Sequence, residues 1–199
     1  MKQYQPGLER NTLMLLRSYQ AAHAVFNGLA ALQLALLTNE RAQGLYLLNL
    51  FSGYLRNLSA LGAAPHVNWM EEQAALHSYA ALEHSRYKPE CSLEWDEVQS
   101  VYQVPGLLCM PMLERQLFRA LRATMPVVLK VTPRAVEGAI QIEVLASQEL
   151  PAFKTLKLKS EQQLRMELFE ERMQLFPAEV EYREYARGAV LTLNKYQSL

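Results

Sequence analysis

His23 and Asn27 are the two residues of the N-terminal region whose types and spacing could do chemistry. They lie four residues apart in AAHAVFNGLA, residues 21–30, so on a helix they share a face one turn apart. A neutral imidazole can attack phosphorus through one ring nitrogen, and an amide can orient the ring or bond a phosphoryl oxygen. The small residues Ala24 and Gly28 leave room for the surface of a partner. The alternative is a boundary histidine of a helix bundle that has found a hydrogen-bond partner.

The helix that would carry His23 is predicted from the spacing of apolar residues. Residues 8–37 contain no proline, and their apolar side chains recur at steps of three and four, or sums of these. After the break TNE at 38–40, a second stretch with the same spacing runs to about Leu61. An antiparallel hairpin of two such helices has more apolar surface than it can cover itself. We therefore expect a homodimer in which two hairpins form a four-helix bundle.

The second part of the chain has a different texture. The stretch GAAPHVN, residues 62–68, is the predicted linker, which gives domains at 1–64 and 65–199. Beyond it, the predicted order is helix, strand, helix, strand, strand, helix, strand, strand. TPRAVEG, residues 132–138, is predicted as the turn between the middle two strands. This order predicts an α+β lobe, with helices on a mostly antiparallel sheet.

Composition and charge exclude several classes of function. Twenty basic residues balance twenty acidic ones, so no net charge favours nucleic acid or an anionic membrane. The two cysteines lack a C-x-x-C pattern, and His66, His77 and His84 lack the spacing of a metal site. Because the N-terminus lacks a signal-peptide core and no apolar run could span a bilayer, we expect a cytoplasmic protein.

Two ordered segments resemble the LytS-type sensor histidine kinases. Residues 22–30, AHAVFNGLA, are similar to the P-H-F-L-F-N-x-L-N motif of the dimerisation helix in that family. Residues 67–87 are similar to the segment after its second helix, with six identities, at Val67, Glu71, Glu72, Tyr79, Glu83 and Arg86. The resemblance implies a dimerisation hairpin followed by an α/β sandwich of the HATPase (GHKL) type.

The second lobe departs from that family where a nucleotide would bind. The asparagine helix of the kinases reads QLFRALRA here, with Phe118 and Arg119 in place of glutamate and the magnesium-binding asparagine. Ala146 and Gln148 stand where the aspartate box is expected, and LPAFKTLKLKS, residues 150–160, has no glycine for a phosphate-binding lid. The resemblance therefore implies a degenerate ATPase-like lobe with no cofactor of its own.

The resemblance, together with the missing nucleotide residues, implies a histidine phosphotransferase that exchanges phosphoryl groups with response-regulator aspartates. His23 would be the nucleophile, Asn27 would support it, and the receiver domain of the regulator would bring the Mg²⁺. The receiver would contact Ala31 on the first helix and Tyr46 and Asn49 on the second. Two alternatives stay open: a non-catalytic pseudokinase or adaptor that binds a response regulator or a histidine kinase, and an active kinase with an unusual ATP site.

The presence of Asn27 one helical turn from His23 favours the phosphotransferase over the non-catalytic adaptor. The family's proline, first phenylalanine and second asparagine are replaced by Ala22, Ala24 and Ala30, which favours the adaptor.

Overall fold

The computed structural model describes most of the chain from residue 25 onwards. The described residues are 25–26, 28–61, 66–87, 90–106, 108–153, 167, 169–171, 173–174, 176 and 180–194. His23, Ala24 and Asn27 lie outside the described residues, as does the predicted domain boundary between residues 64 and 65.

Two antiparallel helices open the described part of the chain. Helix α1 includes residues 25–26 and 28–37, and α2 is Arg41–Leu61. Between them, Asn39 adopts a φ of 60°, a conformation that asparagine tolerates better than most residues, and Thr38 Oγ1 donates to Leu34 O at 3.0 Å. Gly28 faces Phe51 and Ala35 faces Gly44, so the contacts run in opposite directions along the two helices. Over the described residues the two predicted helices are present and antiparallel, while the part of the first predicted helix before residue 25 lies outside the described residues.

Small residues let these helices approach closely. A Cβ placed on Gly28 would lie 2.5 Å from Cδ2 of Phe51, and one placed on Gly44 would lie 3.7 Å from Cβ of Ala35. Any larger side chain at residue 28 would have to displace the buried Phe51 ring. Gly28 is therefore required by the packing of α1 on α2.

The described residues from 66 onwards, called the lobe, combine helices with two sheets. Helix α3 is Trp69–Tyr87, α4 is Cys109–Ala120, and residues 167, 169–171 and 173–174 are helical and are called α5. A two-stranded antiparallel sheet pairs β1, His66–Asn68, with β3, Gln103–Pro105. The main sheet contains β2, Cys91–Trp95; β4, Val127–Val136; β5, Ala139–Ala146; β6, Val180–Tyr185; and β7, Gly188–Asn194.

The main sheet has the strand order β2-β4-β5-β7-β6. Among the described strands of this sheet, only the β2–β4 pair is parallel, because the chain crosses through α4 between these strands; the other three pairs are antiparallel. One face buries alternate apolar side chains of the central strands under the helices: Leu129, Val131, Ile140, Ile142, Val144, Leu191 and Leu193. The prediction of helices on a mostly antiparallel sheet is confirmed.

The predicted turn TPRAVEG is wrong over most of its length. Strand β4 continues to Val136, and only Glu137 and Gly138 form the turn, with Gly138 at a φ of 71°. Val131 O accepts a hydrogen bond from Asp96 N on the β2 side of β4. Pro133, two residues on, presents its ring nitrogen to that same side beyond the end of β2, where no ladder donor is needed.

The end of the predicted linker is also structured. Residues 66–68 form β1, and Asn68 then caps α3: its Oδ1 accepts from Met70 N at 2.9 Å, while Glu71 Oε2 accepts from Asn68 N at 3.2 Å. This reciprocal pair is a capping box, with asparagine as the cap and glutamate three residues later. The sequence N-W-M-E carried that signal.

None of the described helices combines the length and hydropathy that a membrane span requires.

Candidate functional site

A groove between α1 and α2 lies beside the turn of the hairpin. It has a volume of about 360 Å³ and is called the tip groove. Its lining residues come from both helices and the turn: Ala30, Ala31, Leu34, Ala35, Thr38, Glu40, Gln43 and Leu47. Leu34 is 62% exposed, and Ala30 and Glu40 are also exposed, so the groove opens to solvent. A mainly apolar floor with a polar margin is typical of a surface that binds another protein.

The structure brings only part of the predicted partner surface together. Ala31 lines the tip groove. Tyr46 and Asn49 are exposed on α2 but do not belong to the lining of this groove. Gly28 is buried beneath Phe51, and its lack of a side chain makes room for that ring. A contact of Gly28 with a partner stays a prediction.

A second groove, of about 420 Å³, opens on the opposite side of the hairpin. Its lining includes Leu32, Leu36, Leu45 and Leu48, and Ala35 lies between the two grooves because it lines both. Helical spacing adds Leu29, seven residues before Leu36, and Leu55, seven residues after Leu48. These six leucines are called the leucine face: Leu29, Leu32, Leu36, Leu45, Leu48 and Leu55.

The leucine face is uncovered over most of its residues. Leu36 is 75% exposed, and Leu29, Leu45, Leu48 and Leu55 are each more than one-third exposed. Steps of three, four and seven along two neighbouring helices are the spacing of a bundle interface. An exposed apolar row of this kind is suited to pack against another apolar surface.

The lobe contains a second cluster of polar side chains, centred on Arg119 of α4. Arg119 is 1% exposed, and its guanidinium donates to three segments of the chain. Nε donates to Pro151 O at 2.9 Å, and Nη2 donates to Tyr185 O at 2.9 Å and to Ala186 O at 3.0 Å. Nη1 donates to Gln116 Oε1 at 2.8 Å. Arg119 thus ties α4 to residues 150–151 and to the β6–β7 turn.

Arg115, one turn before Arg119, forms the other half of the cluster. Its Nε lies 2.6 Å from Glu184 Oε2, and its guanidinium carbon lies 3.8 Å from the centre of the Phe153 ring. Tyr182 Oη donates to the same carboxylate oxygen at 2.9 Å. Burial acts to raise the pKa of Glu184, but the hydrogen bonds of Arg115 and Tyr182 and the charges of Arg115 and Arg119 together hold that pKa below its usual value. Glu184 is therefore the anionic acceptor that Arg115 and Tyr182 share.

Burial also shifts the pKa of two other side chains of this cluster, Tyr182 and Arg119. It raises the pKa of Tyr182 above its usual range, and Glu184 adds to that effect. Burial lowers the pKa of Arg119, although the nearby charge of Glu184 opposes the change. Both directions are those expected when burial withdraws a titratable group from water and disfavours its charged form.

The residues present do not fit a magnesium–nucleotide complex at this position. The resemblance places a magnesium-binding asparagine at Arg119, but Arg119 is a buried cation whose donors already point at protein carbonyls. A divalent cation would meet a positive charge there instead of an oxygen ligand. Ala146, at the expected adenine-binding aspartate, is buried and carries no acceptor on its side chain.

The histidines of the lobe have separate neighbours. The rings of His66 and Phe176 lie 5.6 Å apart, and those of His77 and Trp95 lie 5.7 Å apart. His84 Nδ1 accepts a hydrogen bond from Leu93 N at 3.1 Å. Within the described part of the chain, no three histidine, cysteine or acidic residues are grouped as metal ligands.

The sequence did not predict that Arg119 is buried and joins three segments of the chain. It indicated only that the magnesium-binding asparagine is missing at this position. The available signal was the pair Arg115 and Arg119, spaced by four on a helix whose remaining residues are largely apolar. Helix α4 is buried over all twelve residues, and both arginines point into the protein.

Several solved structures are similar to this chain. A bacterial phosphotransferase is similar over 96% of this chain and 98% of its own, with a TM-score of 0.48 and 13% identity. The histidine kinase domain of a blue-light-activated histidine kinase from Erythrobacter litoralis is similar over 90% and 94%, with a TM-score of 0.47 and 13% identity. The Acinetobacter baumannii histidine kinase AdeS is similar over 85% and 96%, with a TM-score of 0.46 and 13% identity. No protein-family model and no curated protein sequence matches the chain.

Proposed function

We propose that this chain is a histidine phosphotransferase of two-component signalling. The observation that carries the proposal is the open tip groove on the helix that follows the His23–Asn27 motif. His23 lies seven residues before Ala30 and eleven before Leu34, the spacing of residues that share one helix face, and both of these line the groove. A receiver domain seated on the groove would then approach the histidine along its own side of α1.

The proposed chemistry is transfer between a carboxylate and an imidazole. A ring nitrogen of neutral His23 attacks the phosphorus of an aspartyl phosphate in line, the nitrogen–phosphorus bond forms, and the bond from phosphorus to the carboxylate oxygen breaks. Aspartate leaves as the carboxylate, and the phosphoimidazole keeps the proton on its other nitrogen. In the reverse step, a receiver carboxylate attacks the phosphorus, and neutral imidazole leaves. Asn27 would donate its side-chain amide to a phosphoryl oxygen.

The lobe supports transfer rather than autophosphorylation. A kinase needs its own nucleotide, and the Arg119 cluster fills the position that the family resemblance gives to magnesium with side chains that are already satisfied. The phosphoryl group would therefore come from the partner. In this proposal the chain holds no nucleotide and the receiver supplies the Mg²⁺.

The active form is proposed to be a homodimer joined through the leucine face. Two copies of this face would bury each other and complete a four-helix bundle, leaving both tip grooves free. Burial of apolar surface is worth roughly 25 cal/mol per Å². Leu36→Glu places a charge on the leucine face and should give monomers in sedimentation velocity. Leu34→Glu, on the same helix but in the tip groove, is the matched control and should stay dimeric.

The decisive experiment measures label transfer from phosphorylated receiver domains of the same cell. The wild-type chain should take up label, and His23→Gln should take up none, since glutamine keeps much of the hydrogen bonding and removes the nucleophile. His77→Gln changes an exposed histidine of the lobe and should transfer normally. Leu34→Glu should slow transfer without changing the circular dichroism spectrum.

The same experiment distinguishes the phosphotransferase from a non-catalytic adaptor. If receivers bind to the wild-type chain, yet neither it nor His23→Gln gains label, the histidine is structural and the chain acts by binding alone. Label on His23→Gln would also contradict the proposed nucleophile.

A further inference from the structure

The hairpin and the lobe share a core at the second half of α2. Tyr54 of α2 is fully buried, and its hydroxyl donates to Met110 Sδ of α4 at 3.3 Å. The centre of its ring lies 6.1 Å from that of Tyr79 on α3, with the two planes at 41°. One side chain of the hairpin therefore contacts both central helices of the lobe.

Further contacts continue along the same side of α2. Asn57 Nδ2 donates to Ser78 Oγ of α3 at 3.2 Å, one turn beyond Tyr54. Leu61, at the end of α2, is fully buried, and Leu58 packs against the core. Leu47 and Phe51 of the hairpin belong to the same continuous apolar cluster as the inner face of the main sheet.

We infer that α2 fixes the hairpin and the lobe into one body that opens as a unit. Separation would expose the Tyr54 ring and Leu61 to water, and it would break the Asn57–Ser78 hydrogen bond in the same step. The lobe therefore keeps one position beside the hairpin, with its contact on the second half of α2. The tip groove, which is lined by residues 30–47, stays outside that contact. This inference does not depend on the chemistry of His23.

Hydrogen exchange of the full-length wild-type protein tests the inference first. Amides in the second half of α2 and the central turns of α3 should show protection factors that agree within about threefold, because one opening event exposes both. Faster exchange in the second half of α2, by tenfold or more, would mean that the hairpin detaches from the lobe and would overturn the inference.

A pair of tyrosine variants on one helix sharpens the test. Tyr54→Ala should lower the protection of α2 and of the central strands β4 and β5 together, by about a hundredfold or more, from the usual cost of removing a buried aromatic ring. Tyr46→Ala, eight residues earlier and 52% exposed, should leave the pattern unchanged. Equal patterns in the two variants would contradict the shared core.

A distance measurement decides the question if Tyr54→Ala does not fold. Spin labels on Gln33→Cys of α1 and Glu137→Cys of the β4–β5 turn, both exposed positions, report on hairpin and lobe. Dilution with unlabelled protein restricts the signal to pairs within one chain. One narrow distance distribution is expected, and a broad or double distribution would refute the fixed arrangement.

Discussion

Replacing Arg119 by methionine should destabilise the lobe strongly, although the exchange keeps most of the side-chain volume. Its guanidinium donates to six acceptors: the carbonyls of Leu150, Pro151, Tyr185, Ala186 and Gly188, and Gln116 Oε1. Four of these distances are 3.0 Å or less. A hydrogen bond to a charged group contributes about 1.5–3 kcal/mol, but bonds of one guanidinium are not additive. Breaking such a buried network by removing one partner costs about 3–5 kcal/mol.

That loss is large against a total domain stability of about 5–15 kcal/mol. Urea unfolding followed by the fluorescence of Trp69 and Trp95 would measure it as a lower midpoint with an unchanged slope. Arg122→Met, three residues on, is the matched control, because Arg122 is exposed and makes one bond, to Phe118 O at 3.2 Å. It should cost about 0.5 kcal/mol or less. A loss below about 1 kcal/mol for Arg119→Met would refute the view that the guanidinium holds these three segments together.

Three further expectations concern the hairpin, the charged cluster and the thiols. Gly28→Val should lower the stability of the hairpin by about 1–3 kcal/mol, because its Cβ would press on the Phe51 ring; calorimetry would show this as a lower melting temperature, and an unchanged one would contradict the packing. Because the pKa of Glu184 is lowered in the folded protein, its stabilising effect is complete above the ordinary value of 4.5 and is lost as the pH falls through the lower folded value. In Glu184→Gln the free energy of unfolding should therefore decrease less below pH 4.5 than in the wild type. The same decrease in both proteins, measured by urea unfolding at several pH values, would count against this role. Burial raises the pKa of the Cys91 thiol to about 11, so a thiol reagent at neutral pH should label it only after denaturant is added; labelling of the native protein would contradict its burial.

The sequence predicted the elements whose apolar spacing is regular. The steps of three and four in α2 and the alternation in β5 each reflect one buried face, and the helical hairpin and the antiparallel strands follow from them. Turn chemistry misled the prediction at TPRAVEG, where proline and glycine suggested a seven-residue turn. Pro133 is tolerated within β4 because its nitrogen lies beyond the end of β2.

Tertiary contacts account for what local patterns could not predict. The short strand β1 exists because β3, more than thirty residues later, pairs with it. From the sequence, Arg119 indicated only that a magnesium-binding asparagine is missing. In the structure its guanidinium donates to carbonyls of residues 150–151 and 185–188, and these segments reach α4 only when the chain folds. Ala31 lines the tip groove and Gly28 lies under Phe51, and the contacts of both residues with a partner stay predictions.

The position of Pro133 has a consequence for how copies of this chain can associate. Strand β2 pairs with β4 only as far as Val131, so in the described sheet the second half of β4 is an open edge. A proline at an open edge removes a donor that a neighbouring strand would need, and the exposed Arg134 beside it adds a charge. Strand addition at this edge is therefore disfavoured, as it is in natural sheets that resist aggregation. Self-association at high concentration should accordingly leave the second half of β4 unpaired, so hydrogen exchange at this edge should not slow as the protein concentration rises.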